Sequence, residues 1–280
     1  MSETLGAALI RAARQLAAAG VPDPGRDARV LIAWAAGIDA PRLRAAPETP
    51  LSAGAATRLA RALADRAARR PVAQIIGRRE FWGRSFRVTG DVLDPRPETE
   101  LIVDRALAGS VPGRLLDLGT GSGALAVTLL CEWPAARGVA TDASPAALAV
   151  AGENAAALDV AARLDLVEAD WLRADLGRFD LIVCNPPYIA AAQIADLDRD
   201  VRDWEPRSAL TPGADALASY RAIAPDLAAR LQPGGRAIFE FGIGQGPAVA
   251  AVFRAAGAHT LALHADLSGR DRIAEVAFST

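Results

Sequence analysis

The stretch LLDLGTGSGALAV, residues 115–127, decides the fold. An apolar run of strand length meets glycine at every second position, Gly119, Gly121 and Gly123, and passes at once into helix-forming residues. Glycine lets the backbone turn tightly and lets a ligand approach without a Cβ in the way, so strand, glycine turn and helix open a parallel α/β sheet. The alternation continues downstream. Strands are expected at 114–118, 138–142, 163–168, 179–184 and 236–241, with helices near 122–132, 145–158, 214–231 and 246–256. Two further strand-like runs, 259–265 and 272–278, have no helix between them. This pattern predicts a doubly wound, mostly parallel sheet with an antiparallel strand pair at its C-terminal end.

Upstream the pattern changes. LGAALIRAARQLAAAG closes on Gly20, a plausible C-terminal cap, and GRDARVLIAWAAGI and LSAGAATRLARALADRAARR follow, the last with Ser52 placed as N-cap. Apolar residues recur every three or four positions, as at Leu59, Leu63 and Ala67. Residues 1–75 therefore read as a small helical bundle. In 76–96 the residues Phe81, Trp82, Phe86 and Val88 lie among Gly83 and Gly90, which suggests a β-hairpin linker. The α/β domain is expected over 97–280.

Composition narrows the function classes. With 280 residues, 51% hydrophobic and 23% charged, the chain has the make-up of a soluble globular protein. No apolar run approaches the ~20 residues needed to span a bilayer. The N-terminus lacks a basic segment followed by an unbroken apolar core, so no signal peptide is expected and a cytoplasmic location is. All 31 basic residues are arginine, which a GC-rich genome explains without a functional demand. Cys131 and Cys184 sit in apolar settings and fit reduced thiols. His259 and His264 have no partner at metal-ligand spacing, so neither a metal site nor a His-based triad is expected. Charge is uneven: residues 1–90 carry 15 arginines against 7 acidic residues, and the remainder 16 against 26. The basic part reads either as solvated helix faces or as a module that meets an acidic or RNA-associated partner.

The glycine turn needs a ligand. Asp142 ends the next strand about 20 residues on, where a carboxylate can accept hydrogen bonds from a ribose diol. The motif is G-x-G-x-G preceded by Asp117, not G-x-G-x-x-G. Asp117 would repel a pyrophosphate but can help to hold an ammonium group. Glu168-Ala169-Asp170-Trp171 offers an acceptor and a ring for an adenine, although Trp171 alone reads equally well as a packing residue at a helix start. Together these features favour S-adenosyl-L-methionine over NAD.

A second stretch, LIVCNPPYIA (181–190), leaves a buried strand through an amide, two prolines and an aromatic ring. Two prolines fix φ near −65° and remove two N–H donors, which makes a rigid ledge rich in acceptors. In a doubly wound sheet this strand runs beside the first, so Asn185 is expected next to the glycine turn. The lone pair of an amide or exocyclic amine is delocalised. If the Asn185 side-chain oxygen and the Pro186 carbonyl accept its two N–H groups, that lone pair points at the methyl carbon, with no strong base needed. Tyr188 could cover the planar group by stacking. If Asn185 only accepts, Asn185→Asp should retain much more activity than Asn185→Ala. If its NH₂ also donates, to the cofactor or the loop backbone, Asn185→Asp should be nearly as damaged. Partial rescue is expected.

[ND]PP[YF] after this strand is shared by methyltransferases acting on DNA adenine, rRNA guanine and protein glutamine. More of the chain resembles the PrmC/HemK family of release factor glutamine methyltransferases: PVAQIIGRREFWGRSFRVTGDVLDPRPETE (71–100), DLGTGSG, NPPYI, VRDWEPRSAL (201–210) and SGRDRIAEVAF. The resemblance is close from residue 71 onward and looser over the helical module. It implies a class I methyltransferase sheet and N5-methylation of the glutamine in the Gly-Gly-Gln loop of class I peptide chain release factors. It also implies that Gly119, Thr120, Gly121, Ser122, Gly123, Asp142 and Trp171 bind S-adenosyl-L-methionine. Asn185 would touch both cofactor and substrate, Pro186, Pro187 and Tyr188 would bind the glutamine, and Asn185, Pro186 and Tyr188 would carry the chemistry. The helical bundle would grip the release factor, with Arg96, Thr99 and Glu100 shaping the substrate mouth. The chain departs from the family at Ala216 and Ile243, where a glycine and an aromatic are frequent.

Other substrates remain open at this level, namely a ribosomal protein glutamine, an rRNA guanine or, less favourably, a DNA adenine. A DNA enzyme would have to flip its base out of the duplex, and the acidic C-terminal part is poorly suited to a phosphate backbone. No direct nucleic-acid contact is expected, and a monomer is.

Overall fold

The computed structural model describes residues 3–278, which form two compact units. The first runs up to Arg78 and includes Asp198–Trp204; the second comprises Arg79–Leu197 and the described residues from Glu205 onward.

The first unit consists of helices Leu5–Ala18, Pro24–Ala36, Ala40–Ala45, Ala53–Ala67 and Val72–Ile76, joined later in the chain by the single turn Arg199–Arg202. Four of them start in the same way: Thr4, Asp23, Asp39 and Ser52 each accept a bond from the backbone N–H three residues on. Each such cap satisfies a donor the helix cannot, worth about 1 kcal/mol. Gly20 and Gly37 leave the first two helices with φ of 72° and 68°, the left-handed geometry a helix exit favours. Small residues (Ala8, Ala12, Ala35, Ala62) alternate with Leu16, Leu31, Ile32, Leu59 and Leu63 in one core, so the helices pack closely.

The membership of Asp198–Trp204 in this unit is not foreseen by dividing the sequence at residues 75 and 96. Arg66 is buried and bonds Asp27 (2.6 Å) and Asp200 (2.7 Å), and Arg69 also pairs with Asp200. Trp204 donates its indole N–H to the Ala68 carbonyl and its own carbonyl accepts from Gln74. A buried guanidinium with one carboxylate nearby has N–H groups to spare, and a residue more than 130 positions away supplies the second acceptor.

At the start of the second unit β1 (Arg78–Phe81, its first residue closing the first unit) and β2 (Arg84–Arg87) make a hairpin whose turn residues Trp82 and Gly83 both have positive φ, matching the twist of paired strands. Phe81 and Phe86 are buried edge to face at 6.0 Å within the core of the α/β unit, so the hairpin is an integral part of that unit and not a free linker. The main sheet has seven strands: β3 (Arg114–Leu118), β4 (Arg137–Asp142), β5 (Leu164–Glu168), β6 (Phe179–Cys184), β7 (Leu231–Glu240), β8 (Ala258–Ala265) and β9 (Asp271–Phe278). Their order is β5-β4-β3-β6-β7-β9-β8. The first five are parallel, and β9 enters antiparallel between β7 and β8, as the helix-free ending predicts.

Both faces of the sheet are covered. Leu115, Leu181, Val183 and Ile238 point to one core and Leu116, Leu118, Ile182 and Phe239 to the other, which is why these strands read as unbroken apolar runs. The expected helix over 214–231 is shorter, Ala218–Arg230, because Asp215 accepts from the Leu217 N–H and holds a turn before it. Because β3 lies between β4 and β6, the chain reverses its direction of travel across the sheet here, and a crevice opens beyond the strands' C-terminal ends.

Candidate active site

β3 and β6 are in register, Leu118 against Cys184, so the glycine turn and Asn185 leave the sheet side by side. Both border one cleft of about 290 Å³, and all its lining residues belong to the second unit.

The cofactor half is made largely of backbone. Gly119, Gly121 and Gly123 have φ of 69°, 55° and 80°, which side-chain-bearing residues rarely adopt. Gly119, Thr120, Gly121 and Ser122 line the cleft; Gly123 does not. A Cβ on Gly123 would lie 3.1 Å from the Ala151 side chain, so that glycine serves helix packing. Asp142 lines the cleft and braces the turn, accepting from the Gly121 N–H and the Ser144 N–H, both at 2.9 Å. Buried Asn154 donates to the Ser122 carbonyl (2.8 Å) and exchanges two bonds with the Arg87 backbone, tying the hairpin to the turn.

Asp117 lies beneath the turn, with Oδ2 accepting from Thr120 Oγ1 (2.6 Å) and the Ala126 N–H. Its Oδ1 is buried without a partner, which suits a cationic donor, but Asp117 itself is outside the cleft lining. Burial pushes the Asp117 carboxyl up to about 6, against the two hydrogen bonds that favour the anion. Trp171 is no helix-start residue. It follows β5 at φ 53°, and its ring packs over Gly119, 3.5 Å from where a Cβ would stand. Such backbone strain in a bulky residue costs of order 1–3 kcal/mol and collects at binding sites. Ala169 and Asp170 line the cleft beside it; Glu168 does not. An orphaned carboxylate oxygen, a second carboxylate, an indole face and a Cβ-free turn fit the ammonium, ribose, adenine and backbone-proximal parts of S-adenosyl-L-methionine.

The acceptor half is made of side chains. Asn185 and Pro187 line the cleft, whereas Pro186 and Tyr188 are outside its lining. The Asn185 amide donates from Nδ2 to Thr99 Oγ1 at 3.0 Å. Tyr188 points its hydroxyl at the carboxylate of Glu240 (3.1 Å), and burial drives its pKa far above that of a free tyrosine. Ser219 Oγ donates to the Pro187 carbonyl and Gln245 Nε2 to the Tyr188 carbonyl, so the ledge is held from behind along its length. Cys184, immediately before Asn185, is fully buried, and burial raises its thiol well above the ordinary range.

Of the three mouth residues, Arg96 and Thr99 line the cleft and Glu100 does not. Glu100 accepts from the Trp82 N–H at 2.7 Å and secures the hairpin turn instead. Arg96 Nη2 reaches both oxygens of Glu205 (2.6 and 2.7 Å), and Glu205 is buried. Burial, aided by nearby Asp94 and opposed by Arg96, pushes the Glu205 carboxyl up to about 7. The sequence reading missed Glu205, Glu240 and Arg272. Its one available signal for Glu240 was a carboxylate ending an apolar strand, as Asp142 does and Asp117 nearly does. Among the described residues there is no cluster of three or more potential metal ligands and no helix long and apolar enough to cross a membrane.

Residues 7–77 match the model of the PrmC N-terminal domain, and 96–199 that of the methyltransferase small domain. Over 266 residues, 95% of each chain, the protein is 56% identical to the release factor glutamine methyltransferase of Cereibacter sphaeroides. The chain belongs to the release factor glutamine methyltransferase family. The enzyme of that name from Caulobacter vibrioides is 45% identical over 98% of this chain and 96% of its own. Among solved structures, the catalytic domain of hMettl16 in complex with the MAT2A 3′UTR hairpin 6 superposes with TM-score 0.57, at 16% identity over 82% of this chain and 84% of that one. A methyltransferase from Pyrococcus furiosus gives 0.54, at 14% identity over 80% and 100%. These two likenesses concern the fold.

Proposed function

We propose that this methyltransferase moves the methyl group of S-adenosyl-L-methionine onto the side-chain amide nitrogen of the glutamine in the Gly-Gly-Gln motif of class I peptide chain release factors. The observation that carries the reading is that Asn185 and the glycine turn border the same cleft, with the amide's donor side already engaged. The names of the relatives support the choice of glutamine.

When bound, the cofactor supplies an electrophilic methyl carbon on a sulfonium. Asp142 would offer its carboxylate to the ribose portion, Asp117, buried beneath the turn, would balance the cationic portion, and Trp171 would cover the adenine side. Asn185 Oδ1 and the Pro186 carbonyl accept the two hydrogens of the target amide, which turns its nitrogen lone pair toward the methyl carbon. Transfer would form the N–CH₃ bond as the methyl–sulfur bond breaks, leaving S-adenosyl-L-homocysteine, and the excess proton on nitrogen would be shed to solvent. Positioning and a preorganised polar environment account for the rate, since no side chain of ordinary basicity is within the ledge. Arg96 with Glu205 forms the wall past which the substrate loop enters. The helical unit, rich in exposed arginine, supplies binding energy away from the reacting glutamine. The enzyme acts as a monomer in the cytoplasm.

The test offers labelled cofactor with intact release factor, ribosomal subunits and duplex DNA side by side. Label on the Gly-Gly-Gln glutamine, located by mass spectrometry, is the expected result. Transfer to ribosomal subunits or DNA with none to release factor would overturn the reading.

A further inference from the structure

Behind the ledge lies a carboxylate that methyl transfer does not consume. Glu240 ends β7 and is fully buried. Its Oε2 accepts from Thr99 Oγ1 at 2.7 Å; its Oε1 accepts from Tyr188 OH at 3.1 Å and Arg272 Nη2 at 3.3 Å. Tyr220 OH donates to its backbone carbonyl at 2.8 Å. Thr99 is itself buried, and its oxygen receives the Asn185 amide.

Counting protons gives every bond in this chain a direction. An ionised carboxylate only accepts and a guanidinium only donates, while a threonine hydroxyl has one hydrogen to give. That hydrogen goes to Glu240. The Thr99 oxygen is then an acceptor toward Asn185, which commits the NH₂ of the amide to Thr99 and turns its oxygen away. Without this relay the two ends of an asparagine amide are nearly equal in size and either could face the substrate. Burial pushes the Glu240 carboxyl up, but the Thr99 bond and the adjacent Arg272 guanidinium favour the anion that the relay needs. Arg272 also donates to Tyr188 OH at 3.3 Å. One carboxylate thus holds both ends of Asn185–Tyr188, the first through Thr99 and the last directly.

We propose that Thr99 and Glu240 are positioning residues for methyl transfer: they set the rotation of the Asn185 amide so that Oδ1, and not Nδ2, meets the target amide. The proposal rests on Asn185 accepting a hydrogen bond from that amide. It explains why a threonine follows Pro97-Glu98 at the start of the 100–107 helix, where its side chain makes no cap. It also explains why a carboxylate is tolerated at the dry end of a core strand, where burying a charge is costly unless paired and hydrogen-bonded.

The experiment compares wild type with Thr99→Val, Thr99→Ser and Glu240→Gln in single-turnover methyl transfer to intact release factor, with cofactor affinity and melting temperature measured on the same proteins. Thr99→Val keeps the volume and removes the hydroxyl. It should slow transfer by about 10²-fold, the loss expected from a small misplacement of a reacting group, while cofactor affinity and release factor KM change little. Thr99→Ser keeps the hydroxyl and should retain most of the rate. Glu240→Gln should lose rate as Thr99→Val does; should it fail to fold, the threonine pair still decides. The last arm is Thr99→Val in an Asn185→Ala background. If Thr99 acts through Asn185, the second change adds almost nothing, because the two are one unit. A further large loss in that background, or full activity in Thr99→Val, overturns the relay. Wild type inactive on release factor would overturn the proposed function instead.

Discussion

The two halves of the cleft are built by different means. The glycine-turn half is backbone: Gly119 and Gly121 line it at positive φ, with Gly123 packing the helix behind, and Asp142 and Asn154 brace it by bonding to main-chain groups within or next to the same βαβ unit. The acceptor half is side chain on side chain: Asn185, Thr99, Glu240, Tyr188 and Arg272 come from four separate parts of the chain and meet only through the sheet. A backbone site tolerates change in its side chains but not in its glycines. A side-chain relay is the reverse, and each of its members fails alone. The first kind should therefore lose affinity in modest steps, and the second should lose rate abruptly.

The largest effect is expected at Asn185. Asn185→Ala should cost about 10²–10³ in kcat, the loss for removing one preorganised polar contact, in single-turnover assays at saturating cofactor. Asn185→Asp is the sharper variant, and here the structure reverses the expectation of partial rescue. The amide donates to Thr99, whose hydrogen is already given to Glu240. A carboxylate would offer Thr99 only a second acceptor, close to a buried charge. It should be nearly as slow as alanine at neutral pH. Protonation would restore a donor, so its rate relative to wild type should rise as pH falls. A variant that is fully active at neutral pH would show that the donor side is idle.

Asp142→Ala comes next. Loss of an acceptor for the ribose leaves polar groups unsatisfied, about 1–3 kcal/mol in cofactor affinity by calorimetry. Because the same carboxylate holds the Gly121 and Ser144 N–H groups, melting temperature should fall as well. The rate at saturating cofactor should change far less than for Asn185→Ala. An equal loss of saturated rate would erase the distinction between the halves.

The smallest effect concerns pH. Asp117 is buried with its pKa raised to about 6, above its unfolded value near 3.9. Between about pH 4 and 6 the folded protein therefore binds more protons than the unfolded chain, so this group's contribution to stability declines as pH rises through that window. Cofactor affinity should move the opposite way. If the ammonium needs the anion, affinity falls as pH drops below about 6, by at most about tenfold per unit. Asp117→Asn should bind weakly and remove that dependence. Unchanged affinity from pH 7 to pH 5 in wild type would separate Asp117 from the cofactor.

What could be read from the residues follows this division. The glycine turn, Asp142 and the Asn-Pro-Pro-Tyr ledge are contiguous or a single βα unit apart, and their backbone demands leave marks in composition: glycine where φ is positive, proline where φ is locked. The antiparallel ending showed itself as two strand-like runs without a helix. A short helical turn sends Thr99 and Glu100 in different directions, one to Glu240 and the other to Trp82, which their adjacency in the sequence does not reveal. Glu240 and Arg272 carry no local mark beyond a charge beside an apolar strand. Their pairing exists only because β9 enters antiparallel next to β7. The same holds for Asp200 and Trp204, whose partners lie more than 100 residues earlier in the helical unit.

Periodicity and special residues thus determined which segments are helices and strands, where the glycine turn lies and that Asn185 leaves the sheet beside it, because each depends on the chain's own neighbours. Strand order and register alone decided which carboxylate stands behind Asn185 and which way its amide points, because a hydrogen bond's direction is set by every proton in the network it joins.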